Sequence, residues 1–307
     1  MTKELLINHK RFKKGKSTIK AKKYFAFFND YAKKNYSLID NNCLCGKNDD
    51  QLISLVDRCS VEFETVICKS CGLVRAPKYF NKENIEDFYK NFYRDIMNNE
   101  SSHVEPDDLF NRQKKDSVKK YYLIKEKSNA EIKGLKILDL GGGVGGALEH
   151  FKDSNEVYLA DFFDPYLEYA KTKGINVIKG GLKDISFKPD IIILSHVIEH
   201  WNDFENEIKN LIKIQKINKT LNYIEFPGID SLKTGRREGD FLQDIHIPHV
   251  YYFSSYVFEN LMNRHGFEKL YIDSEIQSLF IYTGVKKEVQ KYYENVKEDL
   301  IKAESRR

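Results

Sequence analysis

The rhythm of apolar and polar positions changes near residue 134. From Lys136 onward, short apolar runs alternate with stretches of helical period. KILDL, EVYLAD, INVIKG, DIIILSH and TLNYIEF each read as a strand bounded by turn residues. Between them, PYLEYAKTKG, DFENEIKNLIKIQK and SYVFENLMNRHG put their apolar residues on one helical face, and the first and last stop at a glycine. GGALEHF, directly after the first strand, is expected to open a helix. FEKLYIDS and SLFIYTGVK are joined by a short connection, which predicts an antiparallel hairpin. The alternation predicts an α/β fold, a Rossmann-like seven-stranded sheet, mostly parallel, with helices on both faces.

Upstream the pattern is different. Residues 17–36 carry aromatic side chains at helical spacing and predict a helix with one apolar face. Residues 41–80 read as short strands and turns around cysteines. KENIEDFYKNFYRDI and DDLFNRQKKDSVKKYYLIKEK predict helices, separated by the polar loop NNESSHVEPDD. The expected organisation is a basic arm or helix over 1–40, a cysteine module over 41–80 and a helical linker or lid over 81–130. An α/β domain follows over 131–285, then a charged helix or tail over 286–307. A chain of 307 residues can bury a core in more than one such domain.

Charge refines this picture. The net charge is +4, but residues 1–35 hold eleven Lys/Arg and two Asp/Glu, a net of +9, so the rest of the chain carries −5. The acidic body argues against a nucleic-acid partner, and the basic arm reads as a solvated segment. No run approaches the ~20 apolar residues of a membrane span, and the N-terminal stretch has no apolar core of the signal-peptide kind. A cytoplasmic location is the expectation. The sequence does not speak to oligomeric state.

KILDLGGGVGGALEHF carries the first chemistry. Gly141, Gly143 and Gly146 satisfy G-x-G-x-x-G, and Asp161 ends the next strand twenty residues after Gly141. That pattern suits an NAD-type dinucleotide, with the acidic residue on the ribose hydroxyls. It equally suits S-adenosylmethionine. Asp139, two residues before the first glycine, favours the second: a carboxylate there can receive the ammonium of a bound amino acid, whereas a pyrophosphate is repelled by it. The polar loop SHVIEHWND follows the fourth strand, at the carboxyl end where ligands bind in such sheets.

On LDLGGGVG, VYLAD, DIIILSHVIEHWND, YIEFPG and HVYYFSSYVFENLMNRHGFE, residues 134–284 resemble a class I S-adenosylmethionine-dependent methyltransferase. The resemblance implies that Gly141 and Gly143 lie against the methionine part of the cofactor and that Asp161 holds its ribose. His196, at the end of the fourth strand, joins the cofactor-side residues. Many relatives carry an acidic residue for the adenine where this chain has Gly181; Leu182 or Asp184 is the expected substitute.

All five cysteines lie between residues 43 and 71. NNCLCGKND and VICKSCGLVRAP offer Cys43, Cys45, Cys68 and Cys71, two knuckle-like pairs that match a closed tetrahedral zinc site, with Cys59 as a conceivable substitute ligand. CKSCGLVRAPKYF followed by IEDFYKNFYRDI resembles the N-terminal zinc-binding module of a bacterial family that includes sugar C-methyltransferases. That resemblance implies a structural zinc, a module closing over the active site, and Tyr89 and Tyr93 as candidate pocket residues.

The acceptor is narrowed by what the chain lacks. The loop after the fourth strand has no Asn/Asp-Pro-Pro-aromatic motif, which disfavours methylation of base or amide nitrogens. No cysteine lies beyond residue 71, which disfavours carbon methylation through a thiol nucleophile. Glu199 and His200, in IEHWND, are the candidate catalytic pair, with His200 as base. His246 and His249, in DIHIPHVYYFS, are a second pair that orients or deprotonates a hydroxyl, or binds a metal with Asp240 or Asp244. Arg236 and Arg237 are candidates for a phosphate on the substrate. The expected enzyme transfers a methyl group to oxygen or carbon of a sugar, nucleotide-linked or part of a surface polysaccharide, or of a similar small molecule. The rival readings are a zinc-module binding protein with a non-catalytic methyltransferase-like domain, and an NAD-dependent enzyme.

Overall fold

The computed structural model describes residues 19–93, 96 and 105–306. Residues 1–18 of the expected basic arm, and most of the polar loop before the second linker helix, lie outside the described residues. The chain forms two compact units, one comprising residues 1–103, 227–257 and 290–307, the other 104–226 and 258–289.

The first unit begins with helix α1 (Ile19–Ala26), which continues through a wider π-helical stretch, Phe27–Ala32. Tyr24, Phe27 and Phe28 are buried on one face, the apolar face expected from their spacing. Strands β1 (Leu38–Asp40) and β5 (Lys78–Phe80) pair antiparallel. Strands β2 (Asp50–Val56), β3 (Glu62–Cys68), β4 (Val74–Arg75) and β11 (Tyr251–Tyr252) form a four-stranded antiparallel sheet in the order β11-β4-β3-β2. Helix α2 (Lys82–Asp87) is capped by Asn81, whose side chain accepts from the Asn84 N–H. The helical reading of the linker's first segment holds, again with a π-helical continuation over Phe88–Phe92. The C-terminal tail is helical too, over Tyr293–Glu304, and Lys233 donates to both oxygens of its Asp299 at 3.0 Å.

The second unit is the expected seven-stranded sheet. Strands β6 (Lys136–Leu140), β7 (Glu156–Asp161), β8 (Asn176–Lys179), β9 (Ile191–Ser195) and β10 (Leu221–Glu225) are parallel; β12 (Phe267–Ile272) and β13 (Gln277–Tyr282) close it as an antiparallel hairpin. The order is β12-β13-β10-β9-β6-β7-β8. Central strands read as unbroken apolar runs because both faces are covered: Ile191, Ile192, Ile193 and Leu194 are all fully buried. Helix α3 (Pro106–Ser128), the second linker segment, starts on a proline at its first turn and ends at Asn129 in the left-handed conformation. Helices α4 (Asp164–Thr172), α5 (Phe204–Lys213) and α6 (Ser255–Arg264) fall where the apolar period placed them.

One expectation fails. GGALEHF does not open an α-helix: it forms a single 3-10 turn, Gly146–Leu148, followed by turns as far as β7. Gly145 enters it with φ 80°, and only seven residues separate Leu148 from β7, too few for a helix that returns the chain to the next parallel strand. Among the described residues no helix is long and apolar enough to cross a membrane.

Candidate active site

The carboxyl ends of β6, β7, β9 and β10 converge on one edge of the sheet in the second unit. At the end of β6 the chain turns through Gly141 (φ 67°) and Gly143 (φ 63°), a left-handed backbone that glycine adopts without strain. The Gly143 N–H donates to Oδ2 of Asp161 at 3.0 Å, and Asp161 Oδ1 accepts from the Phe163 N–H at 3.0 Å. The two residues expected to face methionine and ribose are thus tied together. From α3, Gln113 clamps the same turn, donating to Gly142 O and accepting from Gly146 N–H, each at 3.0 Å.

Asp139 lies beneath this turn. It is fully buried, and neither oxygen has a hydrogen-bond partner among the described residues. Burial pushes its pKa up to about 7, aided by Asp161 and Glu225 and opposed by Lys120. Lys120, buried on α3, pairs with Glu225 at the end of β10 and holds that carboxyl below its usual range against its own burial. The turn passes close over this carboxyl because position 142 is glycine: a Cβ on Gly142 would stand 2.0 Å from Asp139 Oδ2.

After β9, His196 sits with φ 56°, and its N–H donates to Glu225 O at 2.9 Å. This left-handed step at a non-glycine residue carries the chain into the 3-10 turn Ile198–His200. Glu199 is 2% exposed, with His196 Nδ1 at 3.4 Å and His200 Nε2 at 3.8 Å from its Oε1. Neither oxygen receives a hydrogen bond among the described residues. Glu199 raises the pKa of His196. The expected pair is therefore a trio, one buried carboxylate flanked by two imidazoles.

The adenine-side residues occupy the turn after β8. Leu182 is buried, and Asp184 Oδ2 accepts the Gly181 N–H at 2.9 Å, so this carboxylate caps its own turn. Phe162, next to Asp161, is 72% exposed, and its ring edge would lie 3.3 Å from a Cβ on Gly181. The bare glycine keeps the space beside the ring open.

A family described as "Methyltransferase domain" matches residues 106–272, more than half of the chain. The chain belongs to this family and is an S-adenosylmethionine-dependent methyltransferase. The match starts at the first turn of α3, so the clamp on the glycine turn falls inside the methyltransferase domain. The NAD reading is thereby set aside. No curated protein matches the chain in sequence. Among solved structures, it is similar to magnesium protoporphyrin IX methyltransferase from Synechocystis PCC 6803 with bound SAH, at 15% identity and TM-score 0.44, covering 66% of this chain and 97% of that one. A protein of Pyrococcus horikoshii OT3 matches at 18% identity and TM-score 0.43, covering 64% and 97%. A SAM-dependent methyltransferase of Aquifex aeolicus matches at 18% identity and TM-score 0.39, covering 52% and 85%.

The methyltransferase's own residues fit its cofactor. The sulfonium and ammonium of S-adenosylmethionine are cationic, and Asp139 and Glu199 are buried carboxylates whose oxygens take no hydrogen bond among the described residues.

In the first unit the sequence-predicted ligands Cys43, Cys45, Cys68 and Cys71 meet in one cluster, with sulfurs 3.5 Å apart (Cys43–Cys71 and Cys43–Cys45) and 3.7 Å apart (Cys45–Cys68). Four sulfurs about 2.3 Å from a tetrahedral zinc stand about 3.8 Å from one another, so the set fits that ion. Gly46 and Gly72 follow the second cysteine of each pair, with φ 80° and 88°. Their N–H groups return to Cys43 O and Cys68 O, both at 2.8 Å. Cys59 lies outside the cluster and instead donates its N–H to Asp57 Oδ1. The sulfur neighbours pull apart the thiol pKa values, raising that of Cys43 and lowering that of Cys68. Arg75 is buried beside them, forked onto Asp50 at 2.8 and 3.0 Å. Burial works against its charge, yet Asp50, Cys43 and Cys68 raise its pKa overall, so a cation is kept beside the thiols.

His246 and His249 also meet in the first unit, with ring centroids 4.1 Å apart. Arg236 gives both terminal nitrogens to Asp244 and its Nε to Ser231, and Arg237 Nε lies 3.5 Å from the same Asp244. Tyr89 and Tyr93 pack against each other with ring centroids 5.0 Å apart and planes tilted by 53°. Sequence reading missed Gln113, Lys120, Phe162 and Arg75. Each is one polar or aromatic residue without a spacing signature, and its role comes from elements that meet only in three dimensions.

Proposed function

We infer that this methyltransferase acts on a hydroxyl or an acidic carbon of a sugar or similar small molecule, nucleotide-linked or part of a surface polysaccharide. The observation that carries the reading is Glu199, buried between His196 and His200 at the end of β9. When bound, S-adenosylmethionine supplies an electrophilic methyl group on sulfur. His200 takes the acceptor proton as the acceptor atom gains its new bond to carbon, and the buried Glu199 stabilises the resulting imidazolium. His196, with its raised pKa, is the partner that keeps the Glu199 carboxylate ionised. Asp139 receives the cofactor ammonium, Gly141 and Gly143 bring backbone against its methionine end, and Asp161 holds the ribose. Leu182 and Phe162 flank the adenine.

The four cysteines hold a structural zinc. With all four positions taken by thiolates, the ion has no open site and serves folding. The deciding experiment is a methylation assay with the cofactor against a panel of nucleotide sugars and glycan fragments, read by mass. Transfer to a sugar hydroxyl or carbon is expected. Turnover confined to porphyrin, peptide or amine acceptors would refute the sugar reading.

A further inference from the structure

The second unit has another concave site, at the edge of the sheet opposite the glycine turn. The parallel strands end at the cofactor edge. Strand β13 runs antiparallel to β10, pairing Ile281 with Leu221, and the Asn218 N–H donates to Tyr282 O at 2.8 Å. The chain leaving β13 therefore emerges where the parallel strands begin. There it lines a groove of about 460 Å³ with α5 and the end of α6, a size within the range of small-molecule sites.

Cationic groups converge on this groove from three elements: Lys209 from α5, Arg264 from α6, and Lys286 and Lys287 from the segment after β13. Lys209, Lys286 and Lys287 are exposed and form no ion pair among the described residues. The Lys287 N–H donates to Asn263 O at 3.1 Å, which fixes the segment against the end of α6. Two acidic residues, Glu205 and Glu288, line the groove as well, so cations outnumber anions by four to two. Ile212 and Val289 give it an apolar wall. His265 stands at the base, buried, and its Nε2 has no hydrogen-bond partner among the described residues; Glu205 Oε1 lies 3.8 Å away. Burial lowers its pKa, and Arg264, Lys286 and Lys209 push the same way against Glu205. The ring is thus neutral near pH 7 beneath a rim of cations.

We propose that this groove is a binding site for an organic diphosphate, with the diphosphate on Lys209, Arg264, Lys286 and Lys287 and its organic part against Ile212 and Val289. A diphosphate spreads its charge over several oxygens, which matches cations arriving from three directions. The site lies at the opposite edge from the cofactor and does not depend on the proposed acceptor.

The test is a calorimetric titration of ADP into the full chain saturated with S-adenosylhomocysteine, which keeps ADP out of the cofactor pocket. Saturable binding is expected, weaker for AMP, and weakened by added salt. The variant Lys209→Glu/Lys286→Glu alters two exposed side chains. It is expected to weaken ADP about tenfold or more, equivalent to roughly 1.4 kcal/mol, while leaving the melting temperature and S-adenosylhomocysteine affinity unchanged. No saturable binding up to about 5 mM ADP, or equal binding by the variant, would overturn the proposal. Loss of S-adenosylhomocysteine binding by the wild type would instead sink the methyltransferase reading, so the two failures are distinguishable.

Discussion

The cysteine cluster and the glycine turn solve the same problem to opposite ends. Both use glycines at positive φ, Gly46 and Gly72 in one, Gly141 and Gly143 in the other, to bend the backbone around a point. In the cluster the chain brings its own donors to one point: four thiols, with Arg75 buried beside them. Around the turn, at the strand ends, the chain leaves its own groups incomplete. Asp139 and Glu199 are buried carboxylates with no hydrogen bond to either oxygen among the described residues. A closed site completes the fold, whereas an open one carries the cost of buried charge until a ligand arrives.

The largest expected effect breaks the closed side of this comparison. Structural zinc contributes roughly 10–16 kcal/mol of apparent free energy in small zinc-binding peptides. Cys43→Ser or Cys71→Ser is therefore expected to unfold the first unit. Hydrogen exchange would show lost protection over β2 and β3, while β6 and β9 keep theirs. Elemental analysis of the wild type should find one zinc per chain, and a value well below one refutes the assignment.

On the open side, the sharpest effect is at the base. His200→Gln is expected to lower kcat by about 10²–10⁴-fold, the usual contribution of a positioned general base. Affinity for S-adenosylhomocysteine should barely move, because the side chain acts on the acceptor. Near-normal turnover would remove His200 from that role and shift attention to His249. Gly142→Ala comes next. Its Cβ would stand 2.0 Å from Asp139 Oδ2 and 2.8 Å from a methyl carbon of Leu159, so the turn must shift. Overpacking of this kind costs roughly 1–3 kcal/mol. Thermal melting should show that loss, and calorimetry should show weakened cofactor binding; an unchanged melt would mean the turn yields freely.

The same contrast explains what could be read from the sequence. The sheet was legible because its strands are unbroken apolar runs such as DIIILSH, which only a doubly covered sheet accommodates. The meeting of Cys43, Cys45, Cys68 and Cys71 was legible because two closely spaced pairs write the cluster into the spacing. The glycine turn was half legible: G-x-G-x-x-G marks a ligand-facing turn but fits two cofactors, and Asp139 had to decide. What stayed hidden depends on distant elements meeting. Gln113 is one polar residue among many on a Lys-rich helix, and nothing local shows that it spans Gly142 and Gly146. The failed helix at GGALEHF has the same origin. Its composition suits a helix, but the short distance to β7 and the left-handed Gly145 overrule it.

Asp139 offers a pH test of the open site. In the cofactor-free protein its pKa is raised to about 7, well above the unfolded value. A raised carboxyl pKa means that the folded state holds the proton more tightly. Its stabilising contribution is therefore complete below about pH 4 and is lost as pH rises through 7. The ammonium of the cofactor reverses the preference, because it requires the carboxylate. Affinity for S-adenosylhomocysteine should accordingly rise with pH up to about 7, by at most roughly tenfold per unit, and then level off. Calorimetry in buffers of different ionisation enthalpy should detect a proton released on binding below pH 7. Asp139→Asn should flatten the profile, and a slope that persists in this variant would assign the titration elsewhere.

The smallest effect separates the turn from the helix that holds it. Gln113 makes two hydrogen bonds to the glycine turn, and each is worth roughly 0.5–1.5 kcal/mol net. Its loss in Gln113→Ala strands the Gly146 N–H and frees a turn whose glycines have the most conformational freedom to regain. If the clamp holds the turn in its binding shape, the variant should bind S-adenosylhomocysteine several-fold more weakly, with the loss concentrated in the entropy of binding and the melting temperature lowered by only a few degrees. Gln113→Glu sharpens the point, because it keeps the acceptor for Gly146 N–H and removes the donor to Gly142 O. An affinity midway between wild type and Gln113→Ala would show that both bonds contribute. Equal affinity in all three would mean that the turn keeps its shape without the helix, and that Asp161, through the Gly143 N–H, suffices to hold it.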